Sequence, residues 1–309
     1  MNLRRENLQA LADFTEQQLQ AWPMAHANYL GLGATERRRF QLGDLTCFVQ
    51  YNPARIRSTG ARIDKASISA RPCFLCRANR PEEQLTGEAA PGWELLVNPY
   101  PIFPLHYTLP SVNHEPQAQL PLELATIAER FPGMAVFFNG ARAGASAPDH
   151  AHMQMVRADE LPLIEAAERL HDAGEGGIID SRRLGDFPFV WKSGVVTPDA
   201  EGMKTLAKLT LIRGRDAETG MEDRGLLNAI FWICSRSGLL RAIIIPRQRH
   251  RPHCYNKEGE EQMLVSPGTI DMAGVLILPR EEDFKRISES NIRQIYAETG
   301  IPATAEDYE

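Results

Sequence analysis

The chain has 309 residues, of which 43% are hydrophobic and 24% are charged, and its formal net charge at pH 7 is −6. This composition is typical of a soluble globular protein with one large domain or two of ordinary size. The acidic balance argues against a general nucleic-acid-binding surface, although it leaves room for a local basic pocket.

The N-terminal stretch lacks the apolar segment of a signal peptide, and no apolar run approaches the length of a membrane span. The five cysteines are odd in number, which does not fit a disulfide framework in a chain of this length. We therefore expect a cytoplasmic protein that binds neither membranes nor nucleic acid and has thiols free to bind metal.

Residues 2–21 carry spaced apolar side chains on a polar background, which predicts an amphipathic helix within an N-terminal segment, 1–44. The alternating stretch FQLGDLTCFVQYNPARI predicts two strands joined by a Gly-Asp turn. Further strands are predicted in GWELLVNPYPIF, LHYTLPSV, MAVFFNG and HAHMQMV, and helices in LPLELATIAERF and DELPLIEAAERLHDAG. A linker follows near 174–186.

The second half repeats this order of strands, helix, strands and helix. DAEGMKTLAKLTLIRG predicts a helix, and LLNAIFWICSR and LLRAIIIPRQR predict two strands. Residues 258–280 predict another strand pair, and 280–300 a closing helix. We therefore expect an α+β protein with two halves, 45–175 and 187–309, in which antiparallel sheets are covered by helices on one side.

The segment RPCFLC places Cys73 and Cys76 at the spacing that lets two thiolates reach one tetrahedral Zn²⁺. A redox pair of the thioredoxin type needs a strand before it and a helix after it, and the flanking residues fit neither. Metal binding is therefore favoured, with two buried structural cysteines as the alternative. The candidates for the remaining ligands are His106, His114, His150, His152, His250, His253 and Cys254.

Residues i and i+2 of a strand point to the same face, so His150 and His152 either bind one metal or face one cleft with different roles. A zinc that takes both cysteines with His114 and His150 has four protein ligands and no open position. Such a zinc would be structural, and it would leave His152 free for chemistry.

The loop NGARAGASAPD before these histidines is rich in small residues, so its backbone N–H groups can approach an anion and Ser146 can add a hydroxyl. A flexible hairpin loop is the alternative. A neutral His152 can attack phosphorus through one ring nitrogen if the other nitrogen donates to a carbonyl. Gln154 can donate to a phosphate oxygen but does not titrate near neutral pH, which favours transfer over hydrolysis.

The segment FFNGARAGASAPDHAHMQ resembles the histidine-triad (HIT) superfamily in its transferase branch. That branch includes galactose-1-phosphate uridylyltransferases, diadenosine tetraphosphate phosphorylases and GDP-sugar phosphorylases. The resemblance covers residues 45–156 and, less closely, 187–280. With its VQYNPARI and RPCFLC segments, the whole chain is most similar to a bacterial domain family of unknown function within this branch.

The resemblance implies a HIT-like fold of two related halves. It also implies that His152 is the transiently nucleotidylated nucleophile, that Gln154 is its phosphate-binding partner, and that Ser146 and Asn139 contact phosphate or substrate. In the uridylyltransferases a Cys-x-x-Cys pair, a later histidine and the first histidine of the motif surround zinc. The matching residues here are Cys73, Cys76, His114 and His150.

Further contacts are implied by the resemblance alone, with Asn98 for the ribose and Phe103 for the base. Arg55 and Arg57 are candidates for phosphate contacts, with a solvated surface as an equally good interpretation. The basic cluster 247–253 is a candidate to complete a phosphate pocket, either within one chain or across the interface of a dimer. A second metal site in this cluster is the less favoured alternative.

Two departures from the uridylyltransferase motif weaken a galactose-specific assignment. Asp149 stands between Pro148 and His150, where that family has proline directly before its first histidine. Ala151 separates the two histidines where that family has proline.

We therefore predict an enzyme, a nucleotidyltransferase or nucleotide phosphorylase that works through nucleotidyl-His152. It would transfer NMP from a nucleotide sugar or dinucleoside polyphosphate to phosphate or a sugar phosphate. One alternative is a hydrolase in which His150 and His152 bind a catalytic zinc, and another is a zinc-stabilised nucleotide-binding protein without turnover. Structural Zn²⁺ is the expected cofactor, and a homodimer is expected from the resemblance.

Overall fold

The computed structural model describes residues 7–173 and 177–305. The predicted N-terminal segment, the linker and the second half therefore lie partly outside the described residues, at 1–6, 174–176 and 306–309. The helices of the described part are α1 Leu8–Ala21, α2 Pro23–Leu30, α3 Ile56–Thr59, α4 Lys65–Ser69, α5 Glu123–Arg130, α6 Pro162–Asp172, α7 Ala200–Thr210, α8 Thr269–Met272, α9 Glu281–Arg286 and α10 Glu289–Thr299.

The strands of the described part are β1 Glu36–Leu42, β2 Leu45–Tyr51, β3 Gly87–Ala90, β4 Trp93–Val97, β5 His106–Pro110, β6 Met134–Asn139, β7 His152–Arg157, β8 Ile179–Asp180, β9 Lys192–Val195, β10 Gly214–Arg215, β11 Glu222–Asp223, β12 Leu227–Ile233, β13 Leu240–Pro246 and β14 Val275–Leu278. Strands β10 and β11 form a small ribbon of their own. Among the described residues, no helix is both long and apolar enough to cross a membrane.

One nine-stranded sheet runs through both predicted halves in the order β3-β4-β5-β7-β6-β12-β13-β9-β8. The halves meet where β6 pairs antiparallel with β12, with Phe137 opposite Ile230. All neighbouring pairs in this sheet are antiparallel. The α+β fold class with antiparallel sheets is confirmed, whereas the division into 45–175 and 187–309 stays a prediction.

A second, three-stranded sheet has the order β1-β2-β14. Strands β1 and β2 form the predicted hairpin, with Leu42 opposite Leu45 across the Gly-Asp turn. Strand β14 runs parallel to β2, so Val275 lies beside Phe48. This parallel pair departs from the expectation of purely antiparallel sheets. It is possible because the long connection between the two strands lets them run in the same direction.

The large sheet is buried on both faces, not on one face as expected. In β6, Ala135 and Phe137 belong to one apolar cluster, while Val136 and Phe138 belong to the cluster on the opposite face. Helices α1, α5 and α7 contribute to the second cluster, and α6, α10 and the small sheet contribute to the first. The cause is visible in the sequence, since MAVFF and AIIIP are apolar at every position and do not alternate.

Two predicted elements near the C-terminus differ from the structure. The expected strand pair in 258–280 is a single strand, β14, preceded by the short helix α8. The expected closing helix is two helices, because Ser288 begins a new one. Its hydroxyl accepts from the Asn291 N–H, and its own N–H donates to Asn291 Oδ1.

Candidate active site and metal cluster

Four side chains from three segments of the chain converge close to the start of β7. A turn closed by the Cys76 N–H and the Cys73 carbonyl brings both thiols to one side. Cys73 Sγ lies 3.3 Å from His150 Nδ1, and Cys76 Sγ lies 3.2 Å from His114 Nδ1. The four ligand atoms all lie within 4.8 Å of one another, so this group can hold a metal ion.

Neighbouring groups fix the orientation of these four side chains. His150 Nε2 lies 2.9 Å from the Ser111 carbonyl oxygen, so it carries the proton and Nδ1 is free to face the thiols. Asn79 donates to the Cys73 carbonyl at 2.9 Å. Burial lowers the pKa of His150, which keeps its ring neutral, and raises the pKa of the Cys73 thiol. A neutral imidazole is the form that binds a metal, and a bound cation would favour the thiolate.

His150 and His152 do not share one strand face, contrary to the simplest expectation. The His150 N–H bonds to the Ala147 carbonyl in a turn, and β7 begins only at His152. The two side chains therefore diverge, with His150 directed to the cysteines and His152 to a cavity.

His152 is buried, with 4% of its surface exposed, and its hydrogen bonds define one tautomer. Its Nδ1 lies 2.8 Å from the His150 carbonyl oxygen and must therefore carry the proton. Nε2 then keeps its lone pair. Burial lowers the pKa of His152, so the ring is neutral at physiological pH. A neutral ring with one free nitrogen is the form that can attack an electrophile.

The backbone of His152 is held by a buried glutamine, Gln117, that no sequence pattern singled out. Gln117 accepts from the His152 N–H at 2.7 Å and donates to the carbonyls of both His152 and Asn139 at 2.8 Å. Because Asn139 ends β6, this one amide joins the ends of two neighbouring strands. Gln117 lies in the loop segment HEPQAQ, which contains no recognisable motif.

His106 is placed beside Gln154 and takes no part in the metal cluster. It is fully buried on β5, and its Nε2 lies 2.9 Å from Gln154 Oε1. Its Nδ1 accepts a hydrogen bond from the Ile102 N–H at 3.2 Å. Burial is the main cause that lowers the pKa of His106 to about 3, and the charge of Arg55 adds to it.

A cavity of about 620 Å³ opens above His152. Its polar lining includes six residues selected from the sequence, namely Arg55, Arg57, Asn98, Ser146, His152 and Gln154. Its apolar lining includes Trp22, Leu96 and Pro99. Asn98 is also fixed locally, since it donates to Thr108 Oγ1 at 3.0 Å and accepts from the Tyr100 N–H. The cavity therefore combines cationic and hydrogen-bonding side chains with apolar ones.

Two selected residues lie elsewhere. Phe103 is packed in the core with 1% of its surface exposed, and it is not among the described residues that line the cavity. Asn139 connects β6 to α8 and β12, because its side-chain oxygen accepts from the Thr269 N–H at 2.7 Å and from Asn228 Nδ2 at 3.2 Å. It also lines a second cavity of about 60 Å³, which shares Arg55, Ser146 and Gln154 with the first.

The basic cluster 247–253 divides by role. His250 and Arg251 line the small cavity. Arg247 is fully buried and bonds to Asn228, the Pro267 carbonyl and the Thr299 carbonyl, which is a structural role. His253 lies at the surface beside Glu298.

The loop between β6 and β7 is held in place by two contacts, one at Gly144 and one at Asp149. Gly144 has a φ of +96°, and a Cβ there would lie 2.4 Å from the Gly268 Cα, so glycine is required. Asp149, the additional residue of the motif, lies 3.3 Å from Arg71 Nη2. Arg71 in turn lies over the Phe74 ring at 4.9 Å, and both line the large cavity. Neither Arg71 nor Phe74 was selected from the sequence, because the contact between Arg71 and Asp149 joins segments that are far apart in the chain.

Comparisons with known proteins show what this arrangement is similar to. Residues 14–157 match the family described as "Domain of unknown function (DUF4922)". No curated protein sequence gives a significant match. Structures of the yeast Ap4A phosphorylase Apa2, alone, with AMP and with Ap4A, are each 14% identical in sequence and give TM-scores of 0.54, 0.56 and 0.58. The matches cover 92% or 93% of this chain and 96% or 98% of the yeast chain. The likeness shows a shared fold, the HIT-like fold that the resemblance predicted.

Proposed function

We propose that this protein is a nucleotidyltransferase or nucleotide phosphorylase that works by double displacement through His152. The observation that carries the proposal is the tautomer of His152, whose Nδ1 proton is held by the His150 carbonyl while Nε2 stays free at a cavity. The fold shared with an Ap4A phosphorylase that binds AMP and Ap4A supports a nucleotide substrate.

In the first displacement, the Nε2 lone pair forms a bond to the α-phosphorus of the donor. The bond from that phosphorus to the bridging oxygen breaks, and the leaving group departs with the electron pair. The His150 carbonyl stabilises the positive ring through the Nδ1 proton. In the second displacement, an oxygen of phosphate or a sugar phosphate attacks phosphorus, and the P–N electron pair returns to Nε2.

Charge on the transferred phosphoryl group would be balanced by polar side chains that line the cavity. Gln154 and Ser146 supply hydrogen-bond donors, and Arg55 and Arg57 supply positive charge. The apolar side chains would contact the nucleoside, together with Asn98. This combination matches a donor that has a hydrophobic base and a charged phosphate chain.

The donor set Cys73, Cys76, His114 and His150 fits zinc, which is commonly held by two thiolates and two imidazoles in tetrahedral structural sites. The ion would cross-link four side chains and fix the His150 carbonyl that orients His152. Because all four positions belong to the protein, it would be a structural ion with no place for substrate.

Intact mass measurement after incubation with UDP-, GDP- or adenine-containing donors tests the proposal. We expect an acid-labile gain of one NMP in the wild type, its loss in His152→Ala, and its retention in His253→Ala, which removes a surface histidine. Metal-dependent hydrolysis without an adduct, abolished by either His150→Ala or His152→Ala, would instead indicate a catalytic zinc. Binding without adduct or turnover would indicate a nucleotide-binding protein.

A further inference from the structure

The hydrogen bond between His106 and Gln154 has a role that the His-x-His-x-Gln motif does not contain. We infer that His106 is a positioning residue, which turns the amide nitrogen of Gln154 towards the transferred phosphoryl group. The inference rests on the proposed function and deepens it by adding a residue that acts through Gln154.

The donor and acceptor ends of the His106 ring are assigned by its neighbours. Nδ1 accepts from the Ile102 N–H, which is always a donor, so Nδ1 carries no proton. Nε2 therefore carries the proton and can only donate. Its contact at 2.9 Å is the Gln154 oxygen.

A glutamine amide has two ends of similar size and opposite hydrogen-bonding character. Without a constraint, Gln154 could present either its oxygen or its nitrogen to the cavity. The oxygen would be repelled by an anionic phosphoryl group, whereas the nitrogen donates to it. The bond from His106 holds the oxygen and leaves the nitrogen for the substrate.

His106 and Gln154 are also held rigidly relative to each other, because they lie on neighbouring strands. Strands β5 and β7 are hydrogen-bonded neighbours, with His106 opposite Val156 and Thr108 opposite Gln154. Their side chains therefore meet diagonally across one sheet face. His106 is completely buried, so water does not compete for its proton. The orientation of Gln154 is thus set before substrate binds, which is the condition for efficient stabilisation of developing charge.

Two substitutions separate this role from general packing. His106→Asn can keep the acceptor for the Ile102 N–H but is too short to reach Gln154, whereas His106→Gln can place a donor near the original Nε2. We expect His106→Asn to slow formation of the nucleotidyl adduct roughly tenfold and to raise KM for the donor severalfold, because the Gln154 donor is then lost to the bound phosphate as well. His106→Gln should restore most of both values. His171→Asn, which alters a histidine bonded to Ser193 away from the cavity, should leave the rate unchanged.

The tautomer itself gives a readout that does not depend on turnover. Nitrogen NMR of the His106 ring should show a protonated Nε2 and a bare Nδ1. A protonated Nδ1 would overturn the inference, as would a His106→Asn enzyme that forms the adduct as fast as the wild type with equal melting temperature.

If the wild type forms no adduct, the proposed function fails, and AMP binding then decides about His106. A dissociation constant for AMP that rises severalfold in His106→Asn and not in His106→Gln would support the positioning role. Equal constants in all three proteins would refute it. Should His106→Asn fail to fold, the tautomer of the wild type and the AMP affinity of His106→Gln still provide the test.

Discussion

Removal of one cysteine from the metal cluster should cost the protein a measurable part of its stability. In Cys73→Ser, we expect the bound zinc to fall from one ion per chain to none. The four ligand atoms are brought together by the fold, so the ion binds the folded state and not the unfolded one. Loss of the ion removes its binding free energy from the folded state, which therefore becomes less favourable.

The size of the effect follows from the ratio of the free zinc concentration to the dissociation constant of the site. With free zinc at about 1,000 times that constant, binding contributes about 4 kcal/mol to the free energy of unfolding. For a chain of 309 residues, that loss lowers the melting temperature by roughly 6 °C. Scanning calorimetry, paired with metal analysis of the same samples, measures both quantities.

Cys254→Ser is the matched control, because it removes a half-buried thiol that lies outside the cluster. It should keep one zinc per chain and the wild-type melting temperature. A chelator should lower the melting temperature of the wild type to that of Cys73→Ser and leave Cys73→Ser unchanged. Full zinc content in Cys73→Ser, or a chelator effect of the same size in both proteins, would refute the reasoning.

Two further predictions concern the loop and the buried histidine. Gly144→Ala should destabilise the protein by about 2 kcal/mol or more and abolish adduct formation, since it adds a clash with Gly268 to an unfavourable φ. Gly92 has a φ of +84° with open space around it, so Gly92→Ala should lower the free energy of unfolding, measured with denaturant, only by the smaller backbone cost. Equal losses of stability in the two variants would contradict the clash between residue 144 and Gly268. His106 is neutral when folded, with a pKa of about 3 against 6.5 when unfolded, so the unfolded state takes up more protons below pH 6.5. Its contribution is complete above pH 6.5 and is lost as the pH falls, by up to about 1.4 kcal/mol per pH unit. The free energy of unfolding measured at pH 7, 6 and 5 should therefore decline more steeply in the wild type than in His106→Gln, and parallel curves would count against this assignment.

The sequence was informative where short-range spacing carries the structure. Cys73 and Cys76 meet because a Cys-x-x-Cys turn brings two thiols together whatever the rest of the fold does. Six selected residues line the large cavity because they lie in the segments that resemble a known active-site motif. Strands β12 and β13 were predictable because long apolar runs flank a Ser-Gly turn.

The sequence was uninformative where a contact joins distant segments. Gln117 holds His152, and Arg71 holds Asp149, through side chains that no local pattern distinguishes from surface polar residues. Phe103 illustrates the converse, since an aromatic residue near a binding segment can pack inwards instead of lining the cavity. The parallel pairing of β14 was missed because its partner, β2, is far from it in the sequence.

The pairing of β2 with β14 has a consequence for how the protein is made. A ribosome completes β2 long before it synthesises β14, the strand that protects the open edge of β2. Until then Val49 and its apolar neighbours lack the later residues that bury them in the folded protein. Such non-local contacts slow folding and leave an exposed edge that can pair with other chains. Nascent chains truncated before β14 should therefore be the form most dependent on chaperones.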